Sequence, residues 1–119
     1  EDAYNANPTS MAAALDNLAL VQAPLKAAML GEMRELGEES VSEHVVVLEK
    51  LAKMNLDLVC LVGEEFRKAL DSERMVRQVY WFPTSDDLVV WLKDHQVSDH
   101  TILIKGSRGN RMEKVLSEL

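Results

Sequence analysis

Short apolar runs alternate with stretches of helical periodicity along the whole chain. Four runs have the length of strands, at residues 26–30, 57–62, 79–82 and 101–104. Helix starts are predicted at Asn7-Pro8, at Ser42 and at Thr84 or Ser85, and a final helix over residues 111–119. The inward faces predicted from the spacing are Met11, Leu15, Leu18 and Ala19, then Val45, Leu48, Leu51 and Ala52, then Leu88, Val89 and Leu92.

Apart from a polar first residue in three of them, the strand-length runs are continuously apolar instead of alternating with polar residues. This pattern is typical of strands buried on both faces of a sheet. Together with the β-α rhythm it predicts an α/β fold, a Rossmann-like doubly wound, mostly parallel sheet flanked by helices on both faces. Residues 1–119 are predicted to form a single domain. Ligands of such sheets bind beyond the carboxyl ends of the strands, so the helix entrance near residues 5–7 and the loops from Gly31, Gly63 and Gly106 are the expected binding edge.

Charge and composition exclude several classes of protein. The chain has 119 residues, 47% of them hydrophobic, and a net charge of -7, which argues against a nucleic-acid partner. No apolar stretch approaches the ~20 residues of a membrane span. The single cysteine, Cys60, lies in an apolar run and is expected to be a buried core thiol in a reducing compartment, the cytoplasm.

Three segments carry residues suited to ligand binding. The first, Asp-Ala-Tyr-Asn-Ala-Asn-Pro at residues 2–8, brings amides and a carboxylate to a helix start, where they suit an adenine edge or a ribose. The alternative is an ordinary Asn-Pro helix start. The second, Lys-Gly-Ser-Arg-Gly at residues 105–109, offers two cations and free backbone N–H groups to an anion. The alternative there is a solvated surface loop.

The third segment is Leu-Gly-Glu-Met-Arg-Glu-Leu-Gly at residues 30–37, followed by His44. Its glycines permit a close approach of backbones, and its carboxylates could bind a cation or an amine. A solvated loop and a structural or exposed histidine are the simpler interpretations. The sequence contains no phosphate-binding loop, no zinc-type Cys/His cluster and no nucleophile elbow, so it offers no means to transfer a phosphate unaided.

The ordered set of these segments, ending in Ile-Lys-Gly-Ser-Arg at residues 104–108 and Met112-Glu113, resembles the C-terminal domain of the Mur ligases. The likeness covers nearly the whole chain and is greatest to the members that add D-alanyl-D-alanine. It implies a cytoplasmic bacterial enzyme of peptidoglycan synthesis, needed for cell shape and division. That enzyme has an N-terminal domain for the UDP-sugar and a central domain with the phosphate loop and magnesium ligands.

The resemblance also implies a reaction and its participants. ATP phosphorylates the terminal carboxylate of UDP-N-acetylmuramoyl-tripeptide, and the amine of D-alanyl-D-alanine attacks the acyl phosphate to give the pentapeptide, ADP and phosphate. A chain that begins at Glu1 without methionine is expected to be an excised fragment or a processed product, inactive alone. We expect no catalytic residue, metal ligand or bound cofactor within it, since ATP and Mg would be held largely by the other domains.

Residue roles follow from the same likeness. Side chains that would face the nucleotide are Asp2, Tyr4, Asn5 and Asn7. Side chains that would face the dipeptide carboxylate or the reacting phosphate are Lys105, Ser107 and Arg108, while Glu32 and Glu35 would shape the same edge. Two alternatives remain, a stand-alone α/β ligand-binding or regulatory module and a purely structural interaction domain. The sequence encoded upstream of Glu1 would distinguish them, because only a ligase requires a phosphate-loop domain there.

Overall fold

A computed structural model describes residues 6–119, apart from the side chain of Arg108. Short 3-10 turns occupy Gly37–Glu39 and Arg108–Asn110. The helices and strands, in chain order, are α1 (Pro8–Leu20), β1 (Lys26–Gly31), α2 (Ser40–Ala52), β2 (Leu58–Val62), α3 (Glu64–Ser72), β3 (Tyr80–Phe82), α4 (Ser85–Asp94), β4 (Thr101–Lys105) and α5 (Glu113–Leu116).

The four strands form one parallel sheet in the order β3-β2-β1-β4. In its centre Ala28 lies opposite Val59 on one side and Leu103 on the other. The two central strands are buried along almost their whole length, whereas the outer strands are partly exposed. This agrees with the continuous apolar runs and confirms the predicted parallel α/β sheet.

Helices cover both faces of the sheet and create two apolar cores. Side chains of successive strand residues point to opposite faces, so Ala28 and Leu30 of β1 enter one core and Met29 enters the other. The first core packs against α1, α2 and α3, and the second against α4 and α5. The doubly wound arrangement is therefore confirmed.

Two helix starts follow the sequence prediction. Asn7 caps α1, with its side chain accepting a hydrogen bond from Ser10 N at 2.9 Å. Thr84 caps α4 by accepting from Asp87 N at 3.2 Å. Because a cap pairs backbone N–H groups that have no partner within the helix, both residues define where the following helix begins.

Three finer predictions were wrong. Helix α2 begins at Ser40, since the 3-10 turn leads directly into it, so Ser42 lies inside the helix and donates to Glu39 O at 3.0 Å. Ala19 and Ala52 are exposed near helix ends instead of facing the core. The last helix runs only from Glu113 to Leu116, and it does not begin at Arg111, because Arg111 adopts a left-handed conformation with φ of 54° that an α-helix cannot include.

Two basic side chains hold the carboxyl ends of helices, one from strand β1 and one from the loop before β3. Lys26 donates from Nζ to Leu18 O at 2.9 Å and to Val21 O at 3.0 Å, at the end of α1. Arg77 donates to the carbonyls of Met54, at 3.0 Å, and of Leu56, just beyond the end of α2. Cations are favoured at these carboxyl ends of helices.

Within residues 6–119, no helix has the length and apolar character needed to cross a membrane.

Candidate functional site

The candidate site lies at the carboxyl edge of the sheet, between β1 and β4. After β1 the chain winds to β2 and β3 on one side, and it later returns to the opposite side of β1 as β4. The loops that leave β1 and β4 therefore run to opposite faces. A crevice at such a reversal of strand order is the common ligand-binding position of open α/β sheets.

The two loops touch through their glycines. A Cβ on Gly106 would lie 3.0 Å from the Cα of Gly31 and 2.6 Å from the Cγ of Met112. A Cβ on Gly31 would lie 2.4 Å from the side-chain nitrogen of Asn110. A Cβ at Gly106 would press on the backbone of Gly31, and a Cβ at Gly31 would displace the Asn110 side chain, so both glycines allow this close packing of the two loops.

Glu32 joins three of the loops at this edge. Its backbone N–H donates to Val62 O at 3.0 Å, and its carbonyl accepts from Ser107 N at 3.2 Å. Its carboxylate accepts from Glu65 N at 2.8 Å, at the start of α3. Gly63 leaves room for that carboxylate, because a Cβ there would lie 2.5 Å from Glu32 Oε1. One residue of the β1 loop thus sets the spacing of the loops after β2 and β4.

A buried polar chain runs inward from this edge to His44. Ser40 donates from Oγ to the Glu65 carboxylate at 2.6 Å, and the hydrogen bonds from Ser40 and then Lys68 lower the pKa of Glu65. His44 is fully buried, and its Nε2 accepts from Met33 N at 2.9 Å. Its Nδ1 therefore carries the proton and donates to Ser40 O at 2.7 Å.

Burial lowers the pKa of His44, so the ring is neutral near pH 7. Both ring nitrogens are occupied by backbone groups, and Phe66 packs edge-on against the ring at 4.7 Å between centroids. A histidine so enclosed supports the β1 loop and has no free nitrogen for proton transfer. This matches the structural interpretation drawn from the sequence.

The segment after β4 brings Lys105 and Ser107 to the same edge. Lys105 ends the strand and is half-buried, whereas Ser107 is only 3% exposed. The hydroxyl of Ser107 is buried and has no hydrogen-bond partner within the described part of the chain. The backbone of Arg108 starts a 3-10 turn, and its side chain lies outside the described structure.

The proposed nucleotide segment is described only in part. Asp2, Tyr4 and Asn5 lie outside the described residues. Asn7 uses its side-chain oxygen to cap α1, and its backbone N–H donates to Ser10 Oγ at 3.0 Å, completing a reciprocal cap. Asn7 thus has the ordinary role of a helix start, and its part in nucleotide binding stays a prediction. The adjacent Ala6 N donates to Gly106 O at 3.0 Å, so the two segments are neighbours.

A cleft of about 300 Å³ opens beside this crevice and contains cations to which the sequence analysis gave no role. The guanidinium of Arg34 lies over Gly109, because a Cβ on that glycine would come within 2.5 Å of it. The same guanidinium is 3.9 Å from the Glu32 carboxylate. Lys114 pairs with Asp86 at 3.1 Å across the cleft. The arginine was visible within the Gly-Glu-Met-Arg-Glu segment, but only the tertiary fold shows that it reaches the loop after β4.

No group of three or more histidine, cysteine, aspartate or glutamate side chains within residues 6–119 could hold a metal ion. The cleft is lined by the cations Arg34, Arg111 and Lys114 together with the carboxylates Glu32 and Asp86. The cations of this cleft suit a carboxylate or phosphate.

The family described as Mur ligase, glutamate ligase domain, matches residues 2–108. The chain belongs to the Mur ligase family. Relatives named UDP-N-acetylmuramoyl-tripeptide--D-alanyl-D-alanine ligase include those of Borreliella burgdorferi, 36% identical over 98% of this chain, and Haemophilus influenzae, 37% identical over 100% of it. The chain spans about a quarter of the length of these relatives, 25% and 26% respectively.

Solved structures of Mur ligases share the fold. MurF from Acinetobacter baumannii superposes with a TM-score of 0.80 and 33% identity, over 99% of this chain and 26% of that one. The MurF ligase from Thermotoga maritima, a complex with ADP, has a TM-score of 0.73 and 26% identity, over 98% of this chain and 26% of that one. The predicted resemblance to a Mur ligase C-terminal domain is thereby confirmed.

Proposed function

We propose that this chain serves as the C-terminal domain of an ATP-dependent ligase that adds D-alanyl-D-alanine to UDP-N-acetylmuramoyl-tripeptide. The observation that carries the proposal is the match of almost the whole chain to relatives with that name. The proposed domain comprises residues 1–119, and the N-terminal and central ATP-binding domains belong to the rest of the ligase. The reaction would take place in the bacterial cytoplasm during synthesis of the peptidoglycan precursor, and it would involve neither nucleic acid nor membrane.

The nucleotide would be shared between domains. Asp2, Tyr4, Asn5 and Asn7 would contact its base and sugar, while the missing phosphate loop implies that the triphosphate and magnesium bind elsewhere. The contact between Ala6 and Gly106 supports this arrangement, because it joins the nucleotide segment to the loop proposed for the amine substrate. ATP supplies the acyl phosphate that makes the tripeptide carboxylate reactive toward an amine.

The amine substrate would lie against the loop after β4. The dipeptide carries a carboxylate that must be neutralised when the closing domains exclude water. Lys105, Ser107 and Arg108 are the groups proposed to face it, with Arg34 as a further cation beside the same loop. The concentration of donors at one edge of a chain with net charge -7 supports an anion there.

The test uses the complete ligase that carries this domain. With ATP, magnesium and UDP-N-acetylmuramoyl-tripeptide present, phosphate release should require D-alanyl-D-alanine. The 119-residue chain alone should release no phosphate above a buffer blank and should bind ATP with a Kd of about 1 mM or weaker. Phosphate release that depends on another amine instead would contradict the proposed substrate, and turnover by the isolated chain would contradict the division between domains.

Arg108 provides the sharper test of the amine site. In the complete ligase, Arg108→Ala should lower kcat/KM for the dipeptide at least about tenfold, because truncating one partner of a buried charge pair costs roughly 2–5 kcal/mol. Arg108→Lys should recover part of the loss, since lysine cannot form the bidentate pair. Arg74→Ala, an exposed arginine far along the chain, is the matched control. Near-normal kcat/KM for Arg108→Ala would refute the dipeptide role.

A further inference from the structure

The side chain of Asn110 packs against both of the glycines at which the β1 and β4 loops touch. Its Nδ2 lies 2.4 Å from the position that a Cβ on Gly31 would take. Its Oδ1 lies 2.9 Å from the position that a Cβ on Gly106 would take. A Cβ at either glycine would displace the amide, so the Asn110 side chain packs closely against both.

The amide also makes a specific hydrogen bond in this position. Asn110 donates from Nδ2 to Glu32 O at 3.3 Å, the same carbonyl that accepts from Ser107 N at 3.2 Å. Its own backbone N–H donates to Ser107 O at 3.3 Å. Asn110 and Ser107 are therefore held to each other and, through one carbonyl, to the loop after β1.

The other end of the amide argues that it is needed for more than packing. The Oδ1 of Asn110 is buried and has no hydrogen-bond partner among the residues that the structure describes. Burying an unpaired polar atom costs roughly 1–3 kcal/mol, so a group chosen only to fill space would be apolar. The hydrogen bond from Asn110 Nδ2 to Glu32 O offsets this cost, and only an amide or another donor can make it.

We infer that Asn110 is a positioning residue, which holds the turn at Gly106 and Ser107 against the β1 loop and so sets the geometry of the proposed amine site. This inference rests on the proposed function for its substrate, but not for the contact itself. Asn110 does not need to touch the substrate. It acts through the backbone of Ser107 and the carbonyl of Glu32.

The contact can be measured on the 119-residue chain by amide hydrogen exchange at Ser107. Asn110→Ala should speed exchange of that amide about tenfold, because local opening then breaks fewer contacts. Asn110→Asp keeps the shape but loses the donor, and it should speed exchange at least as much. Asn17→Ala, a change at an exposed asparagine in α1, should leave it unchanged. If the Ser107 amide exchanges at the wild-type rate in Asn110→Ala, the inference is wrong. If it does so in Asn110→Asp, the hydrogen bond to Glu32 O does not matter and Asn110 only fills space.

The functional part is measured in the complete ligase. Asn110→Ala should raise the KM for D-alanyl-D-alanine about fivefold or more and leave the KM for ATP unchanged, since the loosened turn belongs to the amine site. Thermal unfolding of the same variant controls for lost stability, which alone would change neither KM. An unchanged dipeptide KM would overturn the positioning role. A wild-type ligase that does not accept the dipeptide would instead refute the proposed function, while the exchange result still decides the contact.

Discussion

Replacing His44 tests whether the buried chain behind the site depends on a neutral histidine. The pKa of His44 is lowered by burial in the folded protein, whereas the unfolded chain should protonate near pH ~6.5. Unfolding below that pH therefore takes up a proton. The stabilisation is fully present above pH ~6.5 and is lost as the pH falls toward the folded pKa, with a slope of up to ~1.4 kcal/mol per pH unit.

Two substitutions separate the charge from the hydrogen bonds. His44→Leu removes the titrating group and leaves the buried N–H of Met33 unpaired, which should cost about 1–3 kcal/mol at pH 7.5. His44→Gln offers an acceptor to the same N–H and should cost less. In both variants the destabilisation relative to wild type should shrink between pH 7.5 and 5.5, because only the wild-type protein loses the His44 contribution over that range.

The assay is urea unfolding at pH 7.5, 6.5 and 5.5, followed by the fluorescence of Trp81 and Trp91. His100→Gln, in the loop before β4, is the control for the removal of a histidine elsewhere. If wild type and His44→Gln lose stability in parallel as the pH falls, the folded protein does not hold His44 neutral and the reasoning fails.

Three more predictions concern the stability and packing of the fold. Arg77→Ala should lower the free energy of unfolding by about 2 kcal/mol, because charged hydrogen bonds to the carbonyls after α2 are lost. Arg77→Lys should restore part of this in the same urea titration, and equal losses would contradict the geometry. Gly63→Ala should cost about 1–3 kcal/mol, since φ is +113° and a Cβ would meet the Glu32 carboxylate; an unchanged Tm would refute this. Burial raises the pKa of the Cys60 thiol to about 12, so a thiol reagent at pH 8 should label the native protein at least about a hundredfold more slowly than the urea-unfolded chain. Equal labelling rates would show that Cys60 is accessible.

The sheet could be predicted because its signal is local. After a charged first residue, the runs that became β1 and β2 are continuously apolar, and this pattern is typical of strands covered on both faces. Helix boundaries were harder, since they depend on competing starts a few residues apart. Ser42 has the character of a cap, yet the 3-10 turn before Ser40 had already begun the helix. The left-handed Arg111 that shortens the last helix leaves no mark in a periodicity, because a non-glycine residue rarely adopts that conformation.

The position of the site could be predicted from the sequence, but the contacts between its residues could not. Its loops follow from the parallel topology, and the Gly-Glu-Met-Arg-Glu and Lys-Gly-Ser-Arg segments were recognisable as chemistry at those loops. The contacts of Glu32 join it to Glu65, 33 residues away, and to Asn110, 78 residues away. No local pattern encodes such pairings. Asn110 was therefore given no role from the sequence, although its side chain packs against both Gly31 and Gly106.

The burial of Ser107 separates two ways in which its loop could serve a ligand. Its hydroxyl is inaccessible in this structure, and its backbone N–H is already bound to Glu32 O. Direct contact between that hydroxyl and a dipeptide therefore requires the segment from Gly106 to Asn110 to shift, which would break the Asn110 contact as well. If the segment instead stays in place, Ser107 contributes through packing alone. Lys105, at the end of β4, is then a described side chain that can face the substrate. Ser107→Ala distinguishes these cases in the complete ligase. A rise in the dipeptide KM requires the shifted loop, and an unchanged KM with equal or higher stability supports the fixed one, because the variant removes only a buried, unpaired hydroxyl.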